Sequence, residues 1–180
     1  MTEGIIRQLS SRIVYSDQWM SLRVDEIERP DGSRGAYSVV DKRDFALIIP
    51  AENDGFHLVE EYRYPVAGRY WSFPQGGFPA GRAGTPADLA RAELAEETGF
   101  LAGRLDHLGR LFGAHGTSSQ GYDVFLATDL IPGPPSREHE EQDMRHSWIP
   151  RAGFEAMIRD GQIKDDSTLA AYALLMLYER

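Results

Sequence analysis

The chain has 180 residues and a formal net charge of −9, from 19 Lys and Arg against 28 Asp and Glu. That length suits one domain with a small appendage, and that charge repels polyphosphate backbones, so non-specific nucleic-acid binding is not expected. Cysteine is absent, which excludes disulfide scaffolds and cysteine-ligated zinc, and no apolar run approaches the ~20 residues of a membrane-spanning helix. The first residues lack the basic-then-apolar pattern of a secretory leader, which makes the cytoplasm the expected compartment.

The first third reads as strands and turns. Leu22 and Val24 alternate with Arg23, Asp25 and Ile27 ahead of Arg29-Pro-Asp-Gly-Ser33, where Gly32 is free to take a positive φ, and Tyr37-Ser-Val-Val40 returns as the second arm of a hairpin. Phe45–Ile49 and Phe56–Glu61 flank Glu52-Asn-Asp-Gly55 and read as a second hairpin. A Gly- and Pro-punctuated stretch from Pro65 to Gly84 reads as a loop. After it comes the clearest helix, with Thr85 as N-cap, Pro86 in the first helical position, Asp88 as the capping-box acid and Gly99 as a left-handed stop.

Strand character resumes from Leu105 through Phe112 and again over Tyr122–Leu126, then breaks at Pro132-Gly-Pro-Pro135. An acidic loop, Glu138–Asp143, precedes a last strand at Trp148-Ile149, and two helices, around Phe154–Asp160 and Asp166–Glu179, close the chain. This order of elements predicts a mixed sheet with helices packed on it.

Glu93, Glu96 and Glu97 stand at i, i+3 and i+4, so they share one face of the predicted helix within ~5–6 Å at Cβ. Like charges at that spacing cost a helix about a few tenths of a kcal/mol per pair, and they fall in the C-terminal half, where the macrodipole also disfavours anions. A hard divalent cation such as Mg²⁺ would offset both effects, since it prefers carboxylate and carbonyl oxygens. The alternative reading of the three residues alone is a solvated acidic face.

The surrounding sequence, Ala92-Glu-Leu-Ala-Glu-Glu-Thr-Gly-Phe100, resembles the end of the Nudix box, G-x5-E-x7-R-E-U-x-E-E-x-G-U, where U is a bulky apolar residue. Glu93, Glu96, Glu97, Gly99 and Phe100 match that pattern, and Gly76 matches the opening glycine best. Ala92 occupies the arginine position, with Arg91 one residue early; Gly84 occupies the upstream glutamate position, and the interval from Gly76 to Glu93 is two residues too long. Val59-Glu-Glu-Tyr-Arg-Tyr-Pro65, the Pro-Gln-Gly before the box, and Gly161-Gln-Ile-Lys-Asp-Asp-Ser-Thr-Leu-Ala170 are similar to the ADP-ribose pyrophosphatase branch.

That resemblance implies an α+β fold, an α/β/α sandwich around a mixed sheet with an N-terminal antiparallel β extension. It divides the chain into residues 1–42, a segment through which a homodimer forms, and residues 43–180, the hydrolase domain. The implied reaction is metal-dependent hydrolysis of a nucleoside diphosphate linked to another moiety, with ADP-ribose giving AMP and ribose 5-phosphate. Mg²⁺, with Mn²⁺ as a substitute, would be held by Glu93 and Glu97, with Glu96 as a further ligand or hydrogen-bonding partner and the main-chain carbonyl of Gln75 added. Within the acidic loop Glu141, then Glu140, is the implied general base, with Glu96 next. Arg63 would face substrate phosphate, and Tyr62 and Trp71 could stack on adenine, although each aromatic also suits core or interface packing. His115 reads as structural. Two other readings stay open. Trp71-Ser-Phe-Pro-Gln-Gly-Gly77 also resembles enzymes that act on dinucleoside polyphosphates or RNA 5′ ends, while Ala92 and Gly84 leave room for a non-catalytic domain that binds a nucleotide sugar.

Overall fold

The structure is a computed structural model that describes residues 5–78, 83–137 and 143–180. The hairpin expected around Gly32 belongs to a three-stranded antiparallel sheet, β1 (Arg7–Ser16), β2 (Met20–Glu28) and β3 (Arg34–Lys42), in that spatial order. Gly32 has φ 81°, the left-handed conformation that the turn requires. On β2 the buried positions are Asp25 and Ile27, and the Asp25 carboxylate is paired with Arg23, which also donates to Asp41 at 2.7 Å. Strand β1 has no apolar alternation to mark it, and nine of its ten residues are exposed. This sheet, with the turn Phe112–Gly121, forms one of two compact units; the other holds Phe45–Leu111 and Tyr122–Arg180.

In the second unit the apolar run from Phe45 becomes β4 (Phe45–Glu52), and both of its faces are buried, which explains the lack of polar alternation. Strand β5 (Gly55–Arg63) returns through Asn53 and Asp54, both at positive φ, a twist that suits a tight hairpin. The two strands pair only next to that turn, Ala51 with Phe56 and Glu52 with Gly55. Further along they take separate partners. Strand β5 pairs with β6 (Gly68–Ser72), and β4 pairs with the two-residue β7 (Gln75–Gly76). Both short strands lie inside the stretch expected to be a loop; their glycines and proline read as breakers, yet β6 folds back on β5 across a tight link, Arg63 opposite Gly68, and β7 pairs with the more distant β4.

Helix α1 (Pro86–Thr98) follows, then β8 (Phe100–Phe112), β9 (Gly121–Pro132), β10 (Arg145–Pro150), α2 (Arg151–Arg159) and α3 (Asp166–Tyr178). The sheet order is β10-β5-β4-β9-β8, with β9 parallel to β4 and β10 antiparallel to β5. Alternate residues of β4 build two cores. Ala46 and Ile48 pack with Leu89, Ala90 and Leu94 of α1, whereas Leu47 and Ile49 pack with Phe154 of α2 and Leu175 of α3. Helices therefore cover both faces of a mixed sheet, the α+β sandwich that the sequence resemblance implies.

Candidate active site

Helix α1 starts and stops where its sequence dictates. The Asp88 N–H donates to Thr85 Oγ1 at 3.1 Å, and the Thr85 N–H and hydroxyl donate to Asp88 Oδ2 at 3.0 and 2.7 Å, a complete capping box. At the other end Gly99 has φ 80° and donates its N–H to Ala95 O at 3.0 Å. A Cβ there would collide with the backbone of Gly133 and Pro135, so this position requires glycine twice over.

Between these ends Glu93 and Glu97 are turned inward, 8 % and 3 % exposed, and Glu96 is half-buried. Two carboxylates removed from water on one helical face are costly unless positive charge or donors meet them. The helix supplies no basic residue in its last turn. Part of the compensation comes from Arg137, whose Nε donates to Glu97 O at 3.2 Å and whose Nη1 donates to Met144 O at 2.6 Å, bringing a cation to the negative end of α1. No local pattern marks Arg137, because it lies forty residues beyond the carbonyl that it caps. Arg91 points elsewhere and donates to Ala102 O at 2.8 Å.

Strand β7 brings Gln75 and Gly76 alongside Leu47 and Ala46 of β4. Gly76 is packed so closely on Glu93 that any side chain there would run into its carboxylate. This is a close approach of backbone to carboxylate at the opening glycine of the box. Next to it, Gln75 donates from Nε2 to Asp165 Oδ2 at 3.3 Å, and its enclosed Oε1 has no hydrogen-bond partner among the described residues. Among the described residues no three His, Asp or Glu side chains converge to hold a cation by themselves. The carboxylates of Glu93, Glu96 and Glu97 and the main-chain oxygen of Gln75 are oxygen donors of the kind that a hard cation prefers.

Arg63 ends β5, ion-paired with Glu61, and lines a pocket of about 390 Å³ together with Tyr70, Ser72 and Gln75. Burial pushes the Glu61 carboxyl above its usual range, Arg63 opposes the shift, and Asp143 adds to it. Tyr62 and Trp71 do not line this pocket. Tyr62 is 48 % exposed, one residue from Arg63 along β5 and so on the opposite face, and Trp71 packs against the core between the sheet, α2 and α3. Glu138, Glu140 and Glu141 lie outside the described residues. Just after them, Asp143 is held by Arg69, which bonds its carboxylate, its main-chain oxygen and Glu60, and Met144 is buried. His115 is exposed in the turn between β8 and β9.

A further cluster carries no local signature in the sequence. His57 on β5 is 5 % exposed, with Nε2 3.3 Å from Glu52 Oε2 and Nδ1 3.0 Å from His146 Nε2, and Phe100 packs on its ring. Burial, together with the charges of His57 and Arg137, depresses His146 to about 4.

Comparison with known proteins agrees with this architecture. Residues 41–171 match the NUDIX domain family, and residues 6–40 match the nucleoside diphosphate sugar hydrolase N-terminal domain. The chain is 31% identical to an ADP-ribose pyrophosphatase of Mycobacterium tuberculosis (strain ATCC 25618 / H37Rv), covering 94% of this chain and 83% of that protein. It is 24% identical to an ADP-ribose pyrophosphatase of Bacillus subtilis (strain 168), over 96% of this chain and 94% of the other. A crystal structure of an ADP compounds hydrolase superposes with a TM-score of 0.84 at 21% identity, covering 99% of this chain and 96% of that one, a likeness of fold. With a box helix whose Glu93 is buried against the opening glycine, and a family match over most of its length, the chain belongs to the Nudix hydrolases, on their ADP-ribose pyrophosphatase-like branch.

Proposed function

We propose that the protein hydrolyses the pyrophosphate of a nucleoside diphosphate sugar, with ADP-ribose as substrate and AMP and ribose 5-phosphate as products, in a reaction that requires Mg²⁺ or Mn²⁺. The observation that carries this reading is the pair of buried carboxylates, Glu93 and Glu97, on one face of α1, with Glu93 packed against Gly76. Glu93 and Glu97 would hold the cation, with Glu96 and the Gln75 main-chain oxygen as further donors. When bound, a divalent cation neutralises pyrophosphate charge and makes water more acidic. Arg63 supplies a guanidinium to a phosphate oxygen, in exchange for its contact with Glu61. Glu141, or Glu140 beside it, would take the proton from the attacking water. The names of the relatives and the N-terminal match to sugar-diphosphate hydrolases support a sugar as the second moiety.

The N-terminal sheet fits a homodimer. Ile13, Tyr15 and Trp19 on and beside β1 are 67 %, 54 % and 62 % exposed, and a second copy of the chain would cover them. No helix among the described residues is long and apolar enough to cross a membrane.

The test is product identification from ADP-ribose with Mg²⁺, with and without chelator. AMP and ribose 5-phosphate should form in equal amounts and cease to form when the cation is removed. Undiminished turnover in chelator would overturn the reading.

A further inference from the structure

The pocket beside Gln75 has a second wall that the phosphate chemistry leaves unused. Arg63, Tyr70, Ser72 and Gln75 line it from the strands, and Lys164, just ahead of α3, and Asp166, the first residue of α3, line it as well. Several of the polar groups are already committed. Arg63 pairs with Glu61, the Gln75 amide donates to Asp165, and Asp165 Oδ2 caps α3 by accepting from Thr168 N at 2.8 Å and Thr168 Oγ1 at 2.7 Å. Thr168 is fully buried and its Oγ1 accepts the Phe73 N–H, so this cap is fixed to the sheet.

Lys164 and Asp166 flank that locked residue and remain uncommitted. Neither has a hydrogen-bond or ion-pair partner among the described residues. Lys164 Nζ lies 5.1 Å from the centroid of the Tyr70 ring, which anchors the ammonium at the pocket and covers that face of the only aromatic ring in its lining. Beside the apolar surface of Pro65 and Val66, the lining offers a cationic donor and an anionic acceptor on either side of a fixed residue. An ammonium donates to one hydroxyl oxygen and a carboxylate accepts from its neighbour, a pairing that suits the adjacent hydroxyls of a sugar. Gln75 connects the two regions, because it lines the pocket and is followed by Gly76, which abuts Glu93.

We infer that this pocket takes the sugar half of the substrate, and that Lys164 and Asp166 determine specificity by reading its hydroxyls. The inference rests on the hydrolase reading for the placement of the diphosphate. It assigns the nucleotide half to the opposite side of the carboxylates, and it favours sugar diphosphates over substrates that carry a second base or an RNA chain.

The test uses the full chain. Binding of ribose 5-phosphate and of AMP is measured by calorimetry for the wild type, Lys164→Ala and Asp166→Ala, alongside KM and kcat for ADP-ribose and the melting temperature. Loss of one charge-assisted hydrogen bond to a sugar hydroxyl should weaken ribose 5-phosphate binding at least about tenfold in each variant. The KM for ADP-ribose should rise by a similar factor with kcat and melting temperature held, and AMP binding should stay level. Unchanged ribose 5-phosphate binding, its absence in the wild type, or weakened AMP binding instead would overturn the assignment. Failure of the wild type to hydrolyse any nucleoside diphosphate sugar would defeat the hydrolase reading, while the ribose 5-phosphate titration would still decide the pocket.

Discussion

Helix α1 and the pocket beside Gln75 are built in opposite ways. The helix carries its cap, its stop and its three glutamates within fifteen consecutive residues, Thr85–Gly99. The pocket gathers Arg63, Tyr70 and Gln75 from around the split between β4 and β5, and Lys164 and Asp166 from about ninety residues further on. Chemistry common to a reaction class fits on one short stretch, because helical spacing alone puts the glutamates on one face. Recognition of a particular substrate draws on distant segments, and those can vary without disturbing the helix.

This contrast can be broken first at the end of α1. Gly99→Ala places a side chain at φ 80° and into the backbone of Gly133, which should destabilise the protein by at least about 2 kcal/mol and lower the melting temperature by several degrees. Turnover should fall with it, since the last turn carries Glu96 and Glu97. A variant as stable as the wild type would mean that the helix end is not fixed locally.

A smaller effect is expected from the long-range side of the comparison. His146 is depressed from 6.5 in the unfolded chain to about 4 in the folded protein, so the unfolded chain binds more protons between those values. Its neutral form therefore contributes stability that is fully present above pH 6.5 and lost as pH falls from 6.5 towards 4. Chemical denaturation between pH 7.5 and 5 should show the wild type losing more stability than His146→Asn. Parallel profiles would show that the His57–His146 contact carries no such dependence.

The sequence makes α1 legible almost to the residue, because the capping box, the terminal glycine and the helix formers all act within a few positions of one another. The Gly32 hairpin and the buried β4 are legible for the same reason. Strands β6 and β7 are not, since their breaker-rich sequence becomes extended only through pairing with β5 and β4. Arg137, which caps the end of α1, and the His57–His146 pair escape local reading too, because each depends on a contact forty or more residues away. The expected stacking aromatics show the limit from the other side. Trp71 has the residue type beside the motif and is partly buried against the core, and the ring that reaches the pocket beside Gln75 is Tyr70, which nothing local singles out.

The central claim is that Glu93 and Glu97 are buried in order to hold a divalent cation. Titration of the protein with Mn²⁺, following the free-ion signal by electron paramagnetic resonance, tests it without reference to turnover. The wild type should remove Mn²⁺ from solution in a saturable manner, and Glu97→Gln should weaken that binding at least about tenfold, as expected for loss of a direct ligand. Equal affinity in the two proteins would contradict the account.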